Sequence, residues 1–156
     1  MYAGIDIGTS GVKVVLADRE DRALASESRR IDVSRPHPHW QEQHPDAWWT
    51  SVLACFDALR AGRADLLARV RAIGLSGQMH GPVLIDARDR PVRETILWND
   101  GRAQEECAQL QERVSELARV AGVIAMPGFT APKMLWVSNN EPDIAGRVRR
   151  VLIIGG

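Results

Sequence analysis

Gly4-Ile5-Asp6-Ile7-Gly8-Thr9-Ser10-Gly11-Val12-Lys13 is the stretch on which the fold turns. Period-2 alternation puts Gly4, Asp6 and Gly8 on one face of a strand and Ala3, Ile5 and Ile7 on the other. One face packs into a core; the other is bare backbone carrying a single carboxylate, so a ligand can come close to it. Thr9-Ser10-Gly11 is turn chemistry that offers backbone N–H groups and two hydroxyls, with Gly11 free to take a positive φ. Such a concavity suits an anion. Asp6 would repel phosphate unless a cation intervened, so the pair implies Mg²⁺ held through water, and Lys13 adds positive charge. The same string also fits an ordinary hairpin whose Asp caps the turn. No G-x-x-x-x-G-K-[ST] and no G-x-G-x-x-G occurs, which excludes the P-loop and dinucleotide-binding readings.

Outward from this hairpin, Tyr2–Gly8 and Val12–Ala17 read as strands, and Ala23–Val33 as a third, giving an antiparallel meander. Pro36 and Pro38 make residues 34–39 extended loop. A helix opens at Pro45 with Asp46 beside it, carries Trp48, Val52, Cys55 and Leu59 on one stripe, and is expected to end at Gly62. Val70–Leu75 reads as a strand, residues 79–92 as a hairpin turning at Arg88-Asp89, and Glu94–Trp98 as a strand halted by Asn99-Asp100-Gly101. Ala103, Cys107, Leu110, Val114 and Leu117 mark one long second helix. Lys133–Val137 is a short helix, and Val148–Ile154 a buried final strand. That strand runs straight into Gly155-Gly156, which reads as truncation. The interleaved strands and helices argue for α/β layers.

The 156 residues fit one domain, and 20 basic against 20 acidic side chains give no global field toward nucleic acid or an anionic membrane. No apolar run approaches the roughly 18 residues of a membrane span. Cys55 and Cys107 fall inside helical patterns and read as small apolar groups in a reduced, cytoplasmic setting. His37, His39 and His44 lack metal-ligand spacing and read as loop.

Four segments carry a further signal: residues 34–43 (SRPHPHWQEQ), 74–81 (GLSGQMHG), 96–102 (ILWNDGR) and 127–136 (PGFTAPKMLW). The hairpin resembles the first phosphate motif of the actin-like superfamily. Together with these four segments, in order from residue 1 to about 150, the chain resembles the FGGY carbohydrate kinases, most closely their xylulokinase branch. The resemblance implies an actin-like (ribonuclease H-like) ATPase fold, with residues 1–156 an incomplete N-terminal domain and a C-terminal FGGY domain lying elsewhere. It implies ATP and Mg²⁺ as cofactors and phosphorylation of D-xylulose at its terminal hydroxyl, with no nucleic-acid or membrane partner, and it leaves a homodimer open.

Carried over by residue, Asp6 organises Mg²⁺-nucleotide, and Gly8, Thr9, Ser10, Gly11 and Lys13 meet the phosphates. Met79 and His80 occupy the position that helps choose the sugar, where glycerol kinases carry Arg-Glu. His80 can bond a hydroxyl or keto oxygen, and Met79 can pack on the carbon chain; a satisfied core histidine is the alternative. Trp98, Asn99, Asp100 and Arg102 fall at a strand end, where open α/β sheets build clefts. Asp100 fits equally as a helix cap with Arg102 as its ion partner. Lys133 and Phe129 read as packing on the cleft wall, and Trp48, Trp49 and Trp136 as core or interface. The family's catalytic base, an Asp in a Gly-Gly-Gly-Asp-like element, has no counterpart here, so the chain alone is expected to turn over poorly or not at all. The competing readings are a kinase for a related pentulose or polyol, and a non-catalytic actin-like binding module.

Overall fold

A computed structural model describes residues 1–154. In chain order the elements are β1 (Tyr2–Ile7), β2 (Gly11–Ala17), β3 (Ala23–Arg30), β4 (Glu42–Gln43), α1 (Pro45–Leu67), β5 (Ala72–Gly77), β6 (Pro82–Ile85) and β7 (Thr95–Ile96). Then follow α2 (Gln104–Arg113), α3 (Leu117–Ala121), α4 (Thr130–Asn140), α5 (Pro142–Arg147) and β8 (Arg150–Ile153). They form two compact units. The first takes residues 1–33 and 44–78, the second residues 34–43 and 79–154.

In the first unit the meander is present and gains a parallel neighbour, giving the order β3-β2-β1-β5. The alternation of the opening residues is realised as read: Ala3 and Ile5 are buried while Gly4 and Asp6 are exposed. Val12, Val14 and Leu16 join the buried face, and α1 covers it with Val52, Cys55, Leu59 and Leu66. Each such side chain contributes about 1.5–3 kcal/mol when fully withdrawn from water, so this face holds the unit together. His44 caps α1 by accepting a 3.2 Å bond from the Asp46 N–H at Nδ1, and Pro45 occupies the first turn. The helix does not stop at Gly62. Arg63 leaves helical geometry (φ −142°, ψ 46°), and the chain resumes its helical course to bury Leu66. The glycine and its neighbour therefore give a kink, because burial beyond the break favours continuing.

The second unit has its own core of Leu84, Val92, Ile96, Ala103, Trp136 and Val137. The expected hairpin turns as read: the Asp86 N–H donates to the Arg90 carbonyl, Asp89 takes φ 60°, and the Val92 N–H returns to the Leu84 carbonyl. The strand read over Glu94–Trp98 is present as the shorter β7, whereas its partner β4 and the helix α5 were not legible. The pair β4–β7 is only two residues wide on each side, too short to show alternation. α5 follows directly on α4, opened by Pro142.

Two further expectations need correction. The long second helix is interrupted at Val114 (φ −126°, ψ 80°), where the side chain is exposed; without burial there, nothing compensates for continuing. The last strand is not buried: β8 pairs antiparallel with β6 but exposes all four of its residues. Gly155 and Gly156, on which the truncation reading partly rested, lie outside the described residues. No helix among the described residues is long and apolar enough to cross a membrane.

Candidate functional site

The phosphate-type hairpin lies wholly in the first unit. Register sets Asp6 opposite Lys13 on β2 and opposite Ser76 on β5, so all three share the open face of the sheet. The bend after Asp6 is closed by the Gly8 N–H donating to the Gly11 carbonyl at 3.0 Å. Thr9 donates its hydroxyl to Gln78 Oε1 at 3.2 Å, whereas Ser10 is exposed. A cavity of about 340 Å³ opens here, floored by Asp6, Gly8, Ser10, Gly11 and Lys13 and bordered from β3 by Ser28, Arg29 and Arg30.

Gly11 is required for a different reason from the one expected. Its backbone is not left-handed; a Cβ there would collide with the Arg29 carbonyl of β3. The demand is for close approach of two strands, and only a known β2–β3 register would have revealed it. The same register brings Arg30 opposite Gly11 and Ser28 opposite Lys13, adding a cation and a hydroxyl that local reading missed.

The residues assigned to the sugar side gather in the second unit. Met79 is 55% exposed. His80 takes φ 63°, a left-handed backbone that costs a non-glycine residue about 1–2 kcal/mol. Its ring lies 4.6 Å from that of Phe129. Its carbonyl accepts two bonds from α4, from Thr130 Oγ1 at 3.3 Å and Lys133 Nζ at 3.0 Å. The Lys133 ammonium also donates to the Gly128 carbonyl at 2.6 Å, and a side chain on Gly128 would collide with the Trp98 carbonyl. Lys133 is completely buried, and burial lowers its pKa from 10.5 to about 8, with Asp100 opposing the shift and Arg102 adding to it.

Trp98 and Asn99 are exposed, but Asp100 and Arg102 are not. Asp100 Oδ1 accepts from the Arg102 N–H and Nε, each at 2.9 Å, and Oδ2 accepts from the Gln41 N–H at 2.6 Å and Arg102 Nη2 at 2.8 Å. The guanidinium of Arg102 lies 3.8 Å from the ring centre of Trp40 and 4.9 Å from that of Trp136. It reaches Glu42 at 2.7 Å, and Glu42 also pairs with Arg93. Asp100 is thus the centre of a buried ion network. It does not cap α2, whose N-cap is Ala103. Trp48 and Trp136 are buried and Trp49 is 64% exposed.

With this geometry in place the comparisons with known proteins are unambiguous. The FGGY family of carbohydrate kinases, N-terminal domain, matches residues 1–155. The chain belongs to that family. Xylulose kinase of Escherichia coli K12 is 47% identical over 153 residues, which make up 98% of this chain and 31% of that protein. The crystal structure of a xyloylose kinase from Brucella ovis superposes with a TM-score of 0.93 at 46% identity, covering 97% of this chain and 32% of that one. Xylulose kinase from Rhodospirillum rubrum gives 0.89 at 32% identity, covering 97% and 31%. This FGGY chain therefore has the actin-like ATPase fold and spans about a third of the length of the relatives it matches.

Proposed function

We propose that the naturally expressed protein containing this chain is an ATP-dependent kinase that phosphorylates D-xylulose on its terminal hydroxyl. The observation that carries this reading is the exposed Asp6 carboxylate on a glycine-lined strand face, beside the Thr9–Gly11 bend and Lys13. The similarity to xylulose kinases supports the choice of sugar.

The residues fit Mg²⁺-ATP. No group of three or more His, Cys, Asp or Glu is arranged to hold a metal among the described residues. At the hairpin cavity the lining carboxylate is Asp6, which would suit a Mg²⁺ that keeps most of its waters and binds substrate phosphate. When bound, the ion would neutralise charge on the phosphate oxygens. Asp6 would hold that ion. The 8–11 bend and Lys13 receive phosphate oxygens, with Arg30 adding positive charge at the border. Met79 and His80 contact the sugar with Trp98 and Asn99. Asp100 and Arg102 act through the backbone of the 98–101 loop. The acceptor proton leaves to a base in the Gly-Gly-Gly-Asp-like element expected further along the parent sequence, with the adenosine pocket in its second domain.

A coupled assay of ADP release tests this. D-Xylulose should be preferred over D-ribulose, gluconate and glycerol, and Asp6→Asn should cut turnover at least a hundredfold without unfolding. Equal turnover with glycerol would refute the sugar assignment, and full activity of Asp6→Asn would refute the metal assignment. Isolated residues 1–156 should release no ADP in response to D-xylulose.

A further inference from the structure

Among the described residues the buried Lys133 ammonium has no carboxylate in hydrogen-bond contact: its bonds go to the backbone carbonyls of His80 and Gly128. An apolar residue would fill such a position at no desolvation cost, so packing alone gives no reason for an amine. The two carbonyls explain it. His80 sits in a left-handed conformation that few non-glycine residues adopt, and such a backbone persists only when its surroundings hold it. Gly128 abuts the Trp98 carbonyl. One ammonium thereby ties the turn carrying His80 to the Gly128 backbone, which packs against the Trp98 carbonyl; the proposed reading places both His80 and Trp98 against the sugar.

We propose that Lys133 is the positioning residue of the sugar subsite, holding His80 left-handed so that its imidazole, backed by Phe129, meets a sugar hydroxyl. This rests on the assignment of His80 to the sugar. The charged groups that bear on the ammonium are Asp100 and Arg102 from the segment before α2; the titratable group it holds is His80, on the turn before β6.

The test uses the naturally expressed protein, with His80 resonances identified by their loss in His80→Gln. In Lys133→Met the backbone carbon shifts of His80 should leave the left-handed range, while resonances of Val14 and Cys55 stay unmoved. D-Xylulose should bind at least tenfold more weakly, with ATP affinity changed less than twofold. In a His80→Gln background, Lys133→Met should cost less than a further twofold. Unmoved His80 shifts, or losses that multiply in the double variant, overturn the proposal. Should Lys133→Met fail to fold, the unaltered protein decides: His80 and Gly81 shifts should inflect near pH 8 as the amine titrates, and a flat profile there overturns it. If His80→Gln alone leaves D-xylulose binding unchanged, the sugar reading fails. The carbon shifts then still report separately whether Lys133 holds the turn.

Discussion

Two side chains show how burial and close approach act at single positions. Lys133 titrates near 8 when folded and 10.5 when free. Below pH 8 it is protonated in both states, and the fold bears the whole cost of burying charge, on the order of 3 kcal/mol at about 1.4 kcal/mol per pKa unit. Between pH 8 and 10.5 the unfolded chain binds more protons than the folded one, so stability from this group rises with pH. Urea midpoints measured from pH 7 to 10 should therefore climb relative to those of Lys133→Met, and parallel curves would contradict the shift. Gly11→Ala is expected to destabilise by about 1–3 kcal/mol, because Arg29 and the β3 backbone must move aside. Gly62→Ala, with open space around its Cβ position, is the control and should be neutral or stabilising by thermal melting.

At the level of elements, what decided legibility was whether a side chain's partner lay nearby in sequence. Alternation in β1 and β2 and the stripe of α1 could be read directly, since Ile5, Val14 and Cys55 declare their burial through spacing alone. The hairpin at Arg88-Asp89 was equally plain. The fate of Asp100 was not: its partners are Arg102, two residues on, and the Gln41 N–H, 59 residues back. Local sequence fits a cleft carboxylate, a cap and an ion pair alike; only tertiary contacts choose. Val114 could not be placed for the same reason, since a helical stripe does not say where its neighbours run out. This network makes its own prediction. Asp100→Ala leaves Arg102, with its side chain 1% exposed, short of its bidentate partner, and should cost about 3–5 kcal/mol. Asp100→Asn, which keeps an acceptor oxygen, should cost less. Urea denaturation followed by tryptophan fluorescence measures both, and near-wild-type stability of Asp100→Ala would show that the Glu42 contact alone suffices.

Across the whole molecule, the most exposed large apolar side chain among the described residues, Leu75, stands on an edge strand. β5 is the outer strand of its sheet beside β1, and Ile73 and Leu75 stand 57% and 77% exposed on it. Free edges of this kind recruit other chains. Residues 1–156 in isolation should therefore self-associate, and Leu75→Lys should shift light scattering toward the monomer. A monodisperse wild-type chain at high concentration would count against this.

The β6–β8 pairing has a consequence for synthesis on the ribosome. The first unit has all its described residues by Gln78, while the second draws on segments from Ser34 to Ile154. Its partner strands β6 and β8 are separated by the whole stretch from Ile85 to Arg150. Chains emerge at about 5–20 residues per second and tend to fold from the amino end. The phosphate hairpin is therefore assembled for several seconds before β8 emerges to pair with β6. Through that interval Pro82–Ile85, buried in the finished protein, has the Val92 N–H of its own hairpin to bond the Leu84 carbonyl but must wait for β8, and a chaperone that recognises short apolar strands would find it there.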